Sequence, residues 1–92
     1  MYINERQLFD FFDDNPGAIA HVCERFTQGR RRWTLGVYDF DRDGGWLTLA
    51  SARRPSEPRE FATFDAVVCV LRAVACAGVR IRWLPGCGGV LE

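Results

Sequence analysis

Apolar and polar residues alternate along two stretches in the middle of the chain, 33–38 and 46–50. Successive side chains of a β-strand point to opposite faces, so this period of two predicts two strands. A segment rich in Asp and Gly separates them, as is typical of a hairpin turn. The two stretches are therefore predicted to form an antiparallel pair.

A helical pattern precedes them near the N-terminus. Asn4 can cap the free amides of a first turn, and Gln7 can reach back in a capping box. Leu8, Phe11 and Phe12 then form an apolar stripe. The segment 15–17, Asn-Pro-Gly, ends this helix.

A second helix is predicted to begin at Thr63 or Phe64, to run to Ala77 and to stop at Gly78. Asp65 and Arg72 are its only charged residues, and valine and leucine surround most of its circumference. Such a helix has to be buried against a sheet on one side and against the first helix or another subunit on the other.

Residues 18–26 fit two patterns. Helical spacing relates Ile19, Val22, Cys23 and Phe26, whereas one face of a strand would carry Ala20, Val22, Glu24 and Phe26. We favour the strand, because an isolated hairpin is marginally stable and gains from a third partner. The helix is the alternative.

These elements predict an α+β fold in one small domain, residues 1–84. A short N-terminal helix leads to a three-stranded antiparallel meander, followed by a proline-containing loop over 51–60. The buried helix and a final strand over 80–84 complete the domain. Residues 85–92 are predicted to be a flexible C-terminal tail.

Charge is unevenly spread along the chain, although the formal net charge is zero. Every basic residue is an arginine, and residues 25–59 carry eight arginines against four acidic residues. Because lysine is absent, Schiff-base chemistry and a phosphate-binding loop are excluded. Arginine makes bidentate contacts to phosphate and carboxylate groups.

The N-terminus lacks a basic segment followed by an apolar one, and no apolar run is long enough to cross a bilayer. We therefore expect a cytoplasmic protein without a membrane partner, whose four cysteines are reduced thiols. Cys69 and Cys76 are expected to be buried on the second helix. Cys87, in the tail, is expected to be exposed and reactive.

Asp39, Asp41, Asp43 and Gly44 match the first half of a calcium-binding loop. The twelfth position of that loop requires a bidentate glutamate, and here it is Ala50. Tight turn geometry accounts for the same residues. We therefore predict no metal site.

His21 is the only histidine, so a catalytic triad or a zinc site would have to include it. Neither serine lies in a nucleophile-elbow pattern, and no pair of cysteines has zinc-finger spacing. We expect no catalytic residues and no cofactor, and hence a protein that is not an enzyme.

An arginine- and aromatic-bearing surface is the remaining candidate. If Trp33, Leu35 and Leu47 face the core, alternation places other residues of the same strands on the opposite face. With two loop arginines, the predicted binding surface consists of Arg32, Tyr38, Trp46, Arg53, Arg54, Arg80 and Arg82. Single-strand-binding proteins combine aromatic rings and arginines in this way. In the alternative, the first helix or a dimer partner covers the aromatic rings.

Five elements follow one another in the chain: a capped helix, a Trp-Thr-Leu-Gly-Val-Tyr strand, an Asp-Gly-Gly-Trp-Leu-Thr-Leu strand, an Arg-Arg-Pro-Ser-Glu-Pro-Arg-Glu-Phe loop and an apolar helix. This order resembles that of small partition-associated (ParC-like) accessory proteins of plasmids and integrative elements. The resemblance covers residues 30–84. It implies an accessory role in the maintenance of mobile DNA and no catalytic residues.

We therefore expect a non-catalytic binding or adaptor protein that acts through contacts with another protein or with itself, as a homodimer. The apolar second helix motivates the self-association. The alternative function is nucleic-acid binding by the arginine and aromatic sheet face.

Overall fold

The computed structural model describes residues 1–41, 45–75 and 80–84. Its elements in chain order are β1 (Tyr2–Ile3), α1 (Glu5–Asp14), β2 (Ile19–Thr27), β3 (Arg30–Tyr38), β4 (Trp46–Leu49), α2 (Phe64–Val74) and β5 (Arg80–Leu84). The predicted α+β class is confirmed. The predicted tail, 85–92, lies outside the described residues.

Helix α1 begins as its sequence predicts. The Asn4 side chain accepts a hydrogen bond from the Gln7 amide, and the Gln7 side chain accepts one from the Asn4 amide, each at 2.8 Å. At the other end, the amide of Asn15 donates to the carbonyl oxygen of Phe11 at 2.9 Å. Pro16 follows, and proline cannot donate the next backbone hydrogen bond.

Residues 19–27 form a strand, so the favoured interpretation of this segment is confirmed and the helical one is wrong. The β2–β3 hairpin is closed by Gln28 and Gly29, which have φ angles of 53° and 74°. Positive φ at both central residues is the geometry of a two-residue turn that matches the twist of paired strands. Pairing Thr27 with Arg30 then sets the register of the whole hairpin.

The sheet has the order β1-β4-β3-β2-β5. The meander β2-β3-β4 is antiparallel, as predicted. Each outer strand is parallel to its neighbour, β1 to β4 and β5 to β2. Strand β1 was not predicted, because a strand of only two residues is too short to show the alternation of apolar and polar side chains.

One face of the sheet forms the core with both helices. Buried residues of the core come from α1, from α2 and from alternate positions of the strands: Ile3, Leu8, Phe11, Phe12, Ala20, Val22, Leu35, Val37, Leu47, Leu49, Phe61, Val67, Leu71, Val74 and Ala75. Helix α2 packs against β3, and α1 packs against α2. The predicted packing of α2 against the sheet is therefore confirmed, and of the two neighbours predicted for its other side, the first helix or another subunit, the structure shows the first helix.

Helix α2 differs from its prediction in two respects. It ends at Val74 and not at Ala77, with Ala75 as its C-terminal cap. It is buried along one stripe only, Val67, Leu71 and Val74, whereas Cys69 on another side is exposed. Cys69 was expected to be buried, which is wrong because the sheet and α1 cover only part of the circumference of α2.

Strand β5 lies at the edge of the sheet. Its register places Ile81 beside Ala20 and Trp83 beside Val22, on the helix-covered face. Both side chains were expected to face the core, but they are 39% and 55% exposed. An edge strand has a neighbouring strand on one side only, and the helices do not cover these two residues.

Gly36 lies where the backbones of β3 and β4 approach closely. A Cβ atom at this position would lie 2.9 Å from the carbonyl oxygen of Leu47, a backbone atom that has no free space to move into. We expect Gly36→Ala to lower the free energy of unfolding by about 1–3 kcal/mol, as overpacking does. Urea unfolding followed by circular dichroism measures this change.

Gly17→Ala is the matched control, because nothing lies within 4 Å of its Cβ position. A change within about 0.5 kcal/mol is expected there, as for most surface substitutions. Equal destabilisation by both substitutions would contradict the close approach at Gly36.

Candidate functional site: the open sheet face

The sheet face opposite the helices is called here the open face. By strand register it carries Tyr2, Ile19, His21, Cys23, Arg25, Arg30, Arg32, Thr34, Gly36, Tyr38, Trp46, Thr48, Arg80 and Arg82. Within the described strands, each formally charged residue on this face is an arginine. The face is therefore basic in a protein whose formal net charge is zero.

A wide cleft lies at one end of the open face, beside the β2–β3 turn and the 51–60 loop. Its volume is about 1010 Å³. Six arginines line it, and we call them the arginine cleft: Arg25, Arg30, Arg32, Arg53, Arg54 and Arg59. Three come from strands β2 and β3, and three come from the loop.

The loop reaches the cleft because its far end is fastened to the sheet. The amide of Arg59 donates to the carbonyl oxygen of Leu49 at 2.9 Å. Two residues on, Phe61 exchanges backbone hydrogen bonds with Trp33 of β3, and its ring is buried in the core. The loop therefore leaves and rejoins the sheet beside the same strands, which brings Arg53 and Arg54 near Arg32.

Only two of the six arginines are ion-paired in the described part of the chain. Arg54 lies 3.4 Å from a carboxylate oxygen of Glu57, and Arg59 lies 3.1 Å from one of Glu5. The pairs that involve Arg54 and Arg59 are exposed, where such contacts contribute little. The other four have no carboxylate partner among the described residues. Glu57 and Glu60 also line the cleft, so its six arginines outnumber its carboxylates by four and its formal charge is positive.

Arg31, between two arginines of the cleft, has a different role. It lies on the helix-covered face, where its Nε atom is 2.8 Å from a carboxylate oxygen of the buried Glu24. Its guanidinium also lies over the rings of Phe26 and Trp33, at 5.8 and 5.9 Å from their centroids. Arg31 therefore neutralises a buried charge, and the alternation along β3 separates it from Arg30 and Arg32.

Aromatic rings cluster at the other end of the open face. The Trp46 ring packs edge to face against His21 and Tyr38, with centroids 4.9 and 5.2 Å apart. Phe40 packs against Tyr38 at 4.9 Å. We call these four residues the aromatic cluster. Trp46 remains 43% exposed and lies on the side away from α1, so the alternative in which the first helix covers it is wrong.

A shallow depression of about 240 Å³ lies beside this cluster. Gly36 forms part of its lining, between its cross-strand neighbours His21 and Thr48. The absence of a side chain at Gly36 leaves this space open, and Trp46 borders it.

The surroundings of His21 lower its pKa and so favour the neutral imidazole. Burial is the main cause that lowers the pKa of His21 from its ordinary value of 6.5, and the positive charge of Arg82 lowers it further. The Nδ1 atom is buried and has no hydrogen-bond partner among the described residues. An unsatisfied buried polar atom costs about 1–3 kcal/mol, so its presence requires an explanation.

The seven residues predicted as one binding surface divide into two groups. Arg32, Arg53 and Arg54 lie in the arginine cleft, whereas Tyr38 and Trp46 belong to the aromatic cluster and Arg82 lies near His21. Tyr38 is six positions after Arg32 on β3, which is about 20 Å along a strand. Arg80 shares the open face but lines neither group in the described structure.

Sequence reasoning missed Arg25, Arg30 and Arg59 in the cleft, and His21 and Phe40 in the cluster. The signal that could have placed Arg25, Arg30 and His21 was the two-residue turn at Gln28 and Gly29. Counting outward from it pairs Arg25 with Arg32 and His21 with Gly36. Phe40 follows the end of β3, where alternation no longer applies.

The Asp-rich turn has hairpin geometry in its described part. Asp39 donates its amide to the carbonyl oxygen of Gly45 at 2.7 Å, and its side chain accepts from the Asp41 amide at 3.0 Å. Asp43 and Gly44 lie outside the described residues. Among those described, no three His, Cys, Asp or Glu side chains are grouped as a metal site.

The cysteines are not all reduced thiols, so that prediction is wrong. Cys23 is disulfide-bonded, and Cys69 is a free, exposed thiol. Cys76 and Cys87 lie outside the described residues. The prediction failed because it inferred the state of the thiols from a presumed compartment and not from the proximity of the sulfur atoms.

Neither helix of the described residues is long and apolar enough to cross a membrane. The chain matches no protein-family model, no curated protein and no solved structure in the three comparisons made. The resemblance to partition-associated proteins therefore stays a prediction.

The lowered pKa of His21 predicts a pH-dependent stability. Below about pH 6.5 the unfolded chain binds a proton at His21 that the folded chain does not, so stability falls as the pH falls. His21→Gln replaces the imidazole with a side chain that does not titrate. We therefore expect the free energy of unfolding of the variant to fall less than that of the parent between pH 7.5 and pH 5.5. Urea unfolding at the two pH values measures the difference, and an equal loss in both proteins would contradict it.

Proposed function

We propose that this protein is a non-catalytic nucleic-acid-binding protein that holds the phosphate backbone in its arginine cleft. The observation that carries the proposal is the set of four cleft arginines, Arg25, Arg30, Arg32 and Arg53, which have no ion pair among the described residues. Guanidinium groups bind phosphate in a bidentate geometry. They stay protonated in proteins, so they bind an anion without acting as general bases.

The shape and extent of the open face support a polymer over a small anion. The cleft is wide, and the basic residues continue along the sheet to Arg80 and Arg82 on β5. The aromatic cluster lies on the same face, about 20 Å from Arg32. Surfaces that bind single-stranded nucleic acid usually combine arginines along the phosphate backbone with aromatic rings that stack on the bases.

The resemblance implies an accessory role in the maintenance of plasmids or other mobile DNA. Nucleic acid bound in the arginine cleft would be the ligand in that role.

Removal of two cleft charges tests the proposal. We expect Arg25→Ala with Arg30→Ala to weaken binding of a single-stranded oligonucleotide at low salt by at least tenfold. Because each lost phosphate contact lowers the slope of log K against log salt by about 0.7, the slope should fall by about 1.4. Fluorescence anisotropy at several salt concentrations measures both quantities.

Arg6→Ala with Arg72→Ala is the matched control, since it removes the same charge from the two helices, where both side chains are exposed. This control should retain the parent affinity apart from a small long-range effect. Equal weakening by the two double variants, or no binding of the parent to any DNA or RNA at low salt, would overturn the proposal.

An adaptor function through self-association is the second candidate, as a homodimer. The observation that favours it is the exposed apolar edge of the helix-covered face, where Trp83 is 55% exposed and Phe26 is 66% exposed. Burying such side chains stabilises an interface. β5 is also an edge strand that can pair with another copy.

Sedimentation velocity tests this candidate. We expect the parent to form dimers at tens of micromolar and Trp83→Ser to shift toward monomer, because the substitution removes the largest exposed ring of the edge. Phe40→Ser alters an exposed ring of the aromatic cluster and should leave the dimer unchanged. A parent that is monomeric throughout would exclude the homodimer.

A further inference from the structure

Trp46, His21 and Gly36 form a second recognition feature on the open face, separate from the arginine cleft. Gly36 has no side chain, and the neighbouring positions across the sheet are His21 on one side and Thr48 on the other. The result is the depression of about 240 Å³ described above. At about 30 Å³ for each water molecule, it holds about eight waters, roughly the size of one heterocyclic ring with its substituents.

The lining of the depression suits a flat ring that has polar edges. Trp46 supplies an exposed aromatic surface, and Thr34 and Thr48 supply hydroxyl groups that donate and accept hydrogen bonds. His21 borders the same space as a neutral imidazole, and its Nδ1 atom has no partner among the described residues. A nucleobase combines a π face with donors and acceptors on its edge.

Next to the depression, Arg82 lies where it can contact the phosphate attached to such a base. Arg82 lies close enough to His21 to affect it electrostatically, and both residues line an adjoining groove of about 550 Å³ with Tyr38. No ion pair of Arg82 occurs within the described residues. Asp14 and Asp41 also line this groove, but neither forms an ion pair with Arg82 in the described structure, so the guanidinium can contact a phosphate on the side of the depression.

We propose that one unpaired nucleobase docks in the depression beside His21 and Trp46, against the exposed part of the Trp46 ring, with its phosphate on Arg82, so that the protein selects single-stranded over duplex nucleic acid. This inference rests on the proposed function. In a duplex the bases are stacked and paired, and a sheet-borne ring cannot reach their faces. A strand with free bases can contribute phosphates to the arginine cleft and a base to the depression.

Three probes of equal length test the inference: a single-stranded DNA 12-mer, its duplex, and a 12-mer of the same sugar-phosphate backbone without bases. We expect the parent to bind the single strand about 5- to 100-fold more tightly than the abasic strand, the range that stacking of one base on one ring contributes. The duplex should bind more weakly than the single strand. All affinities are compared at one salt concentration.

Trp46→Leu should reduce the affinity for the single strand to that for the abasic strand, with the salt slope unchanged because no phosphate contact is removed. Trp46→Phe retains a ring and should recover part of the preference. Phe64→Leu is the matched control, since this exposed aromatic residue lies at the start of α2, away from the open face, and it should have no effect. Circular dichroism of each variant verifies that the fold is retained.

The outcomes separate the two proposals. If the parent binds single-stranded and abasic strands equally, or prefers duplex, while Arg25→Ala with Arg30→Ala still weakens binding, the docked base is wrong and the proposed function stands. If the parent binds none of the three probes at low salt, the proposed function and the inference both fail. If Trp46→Leu and Trp46→Phe lose the preference equally, the stacking role of Trp46 is wrong.

Discussion

Coverage of only one face of the sheet is the constraint on which the rest of this structure depends. Helices α1 and α2 supply apolar stripes for one layer, so the sheet buries alternate residues, and neither described helix covers the others. Because successive residues of a strand alternate, each residue that enters the core places its neighbours on the open face. The core and the basic surface are therefore two results of one pattern.

The arginine triplet 30–32 illustrates this division of roles. Arg31 is directed to the helix-covered side, where its contact with Glu24 neutralises a buried carboxylate that would otherwise be costly. Arg30 and Arg32 are directed to the opposite side, where the strands contribute no acidic residue within the described structure. Three identical residues in a row thus have two roles, set by the face of β3 on which each lies. Arg31 stabilises the fold, and Arg30 and Arg32 add positive charge to the open face.

Much of this architecture follows from local sequence. The period of two identifies β3 and β4, the capping box identifies the start of α1, and the faces of Arg32, Tyr38 and Trp46 follow from the same alternation. Features that depend on distant contacts do not follow from it. β1 is defined by pairing with β4, β5 by a parallel crossover onto β2, and the cleft by the return of the 51–60 loop at Arg59 and Phe61. From local sequence alone, β1 could equally be a free N-terminus, β5 a fourth strand of the meander, and the 51–60 segment a solvated loop. For this reason the residues predicted as one binding surface lie in two separate groups.

The acidic residues of α1 give the arginine surface a further consequence. Glu5, Asp10, Asp13 and Asp14 are exposed on the helix layer, whereas the arginines of the strands emerge on the opposite side. Even with Arg6 counted, α1 is negative and the open face is positive, so the described residues separate charge across the sheet as a dipole does. The field of such a dipole exerts a torque on the protein near a polyanion, within roughly a Debye length of about 8 Å at physiological salt. The protein would therefore turn its open face toward a nucleic acid before the first contact forms, although its total charge gives it no attraction from afar.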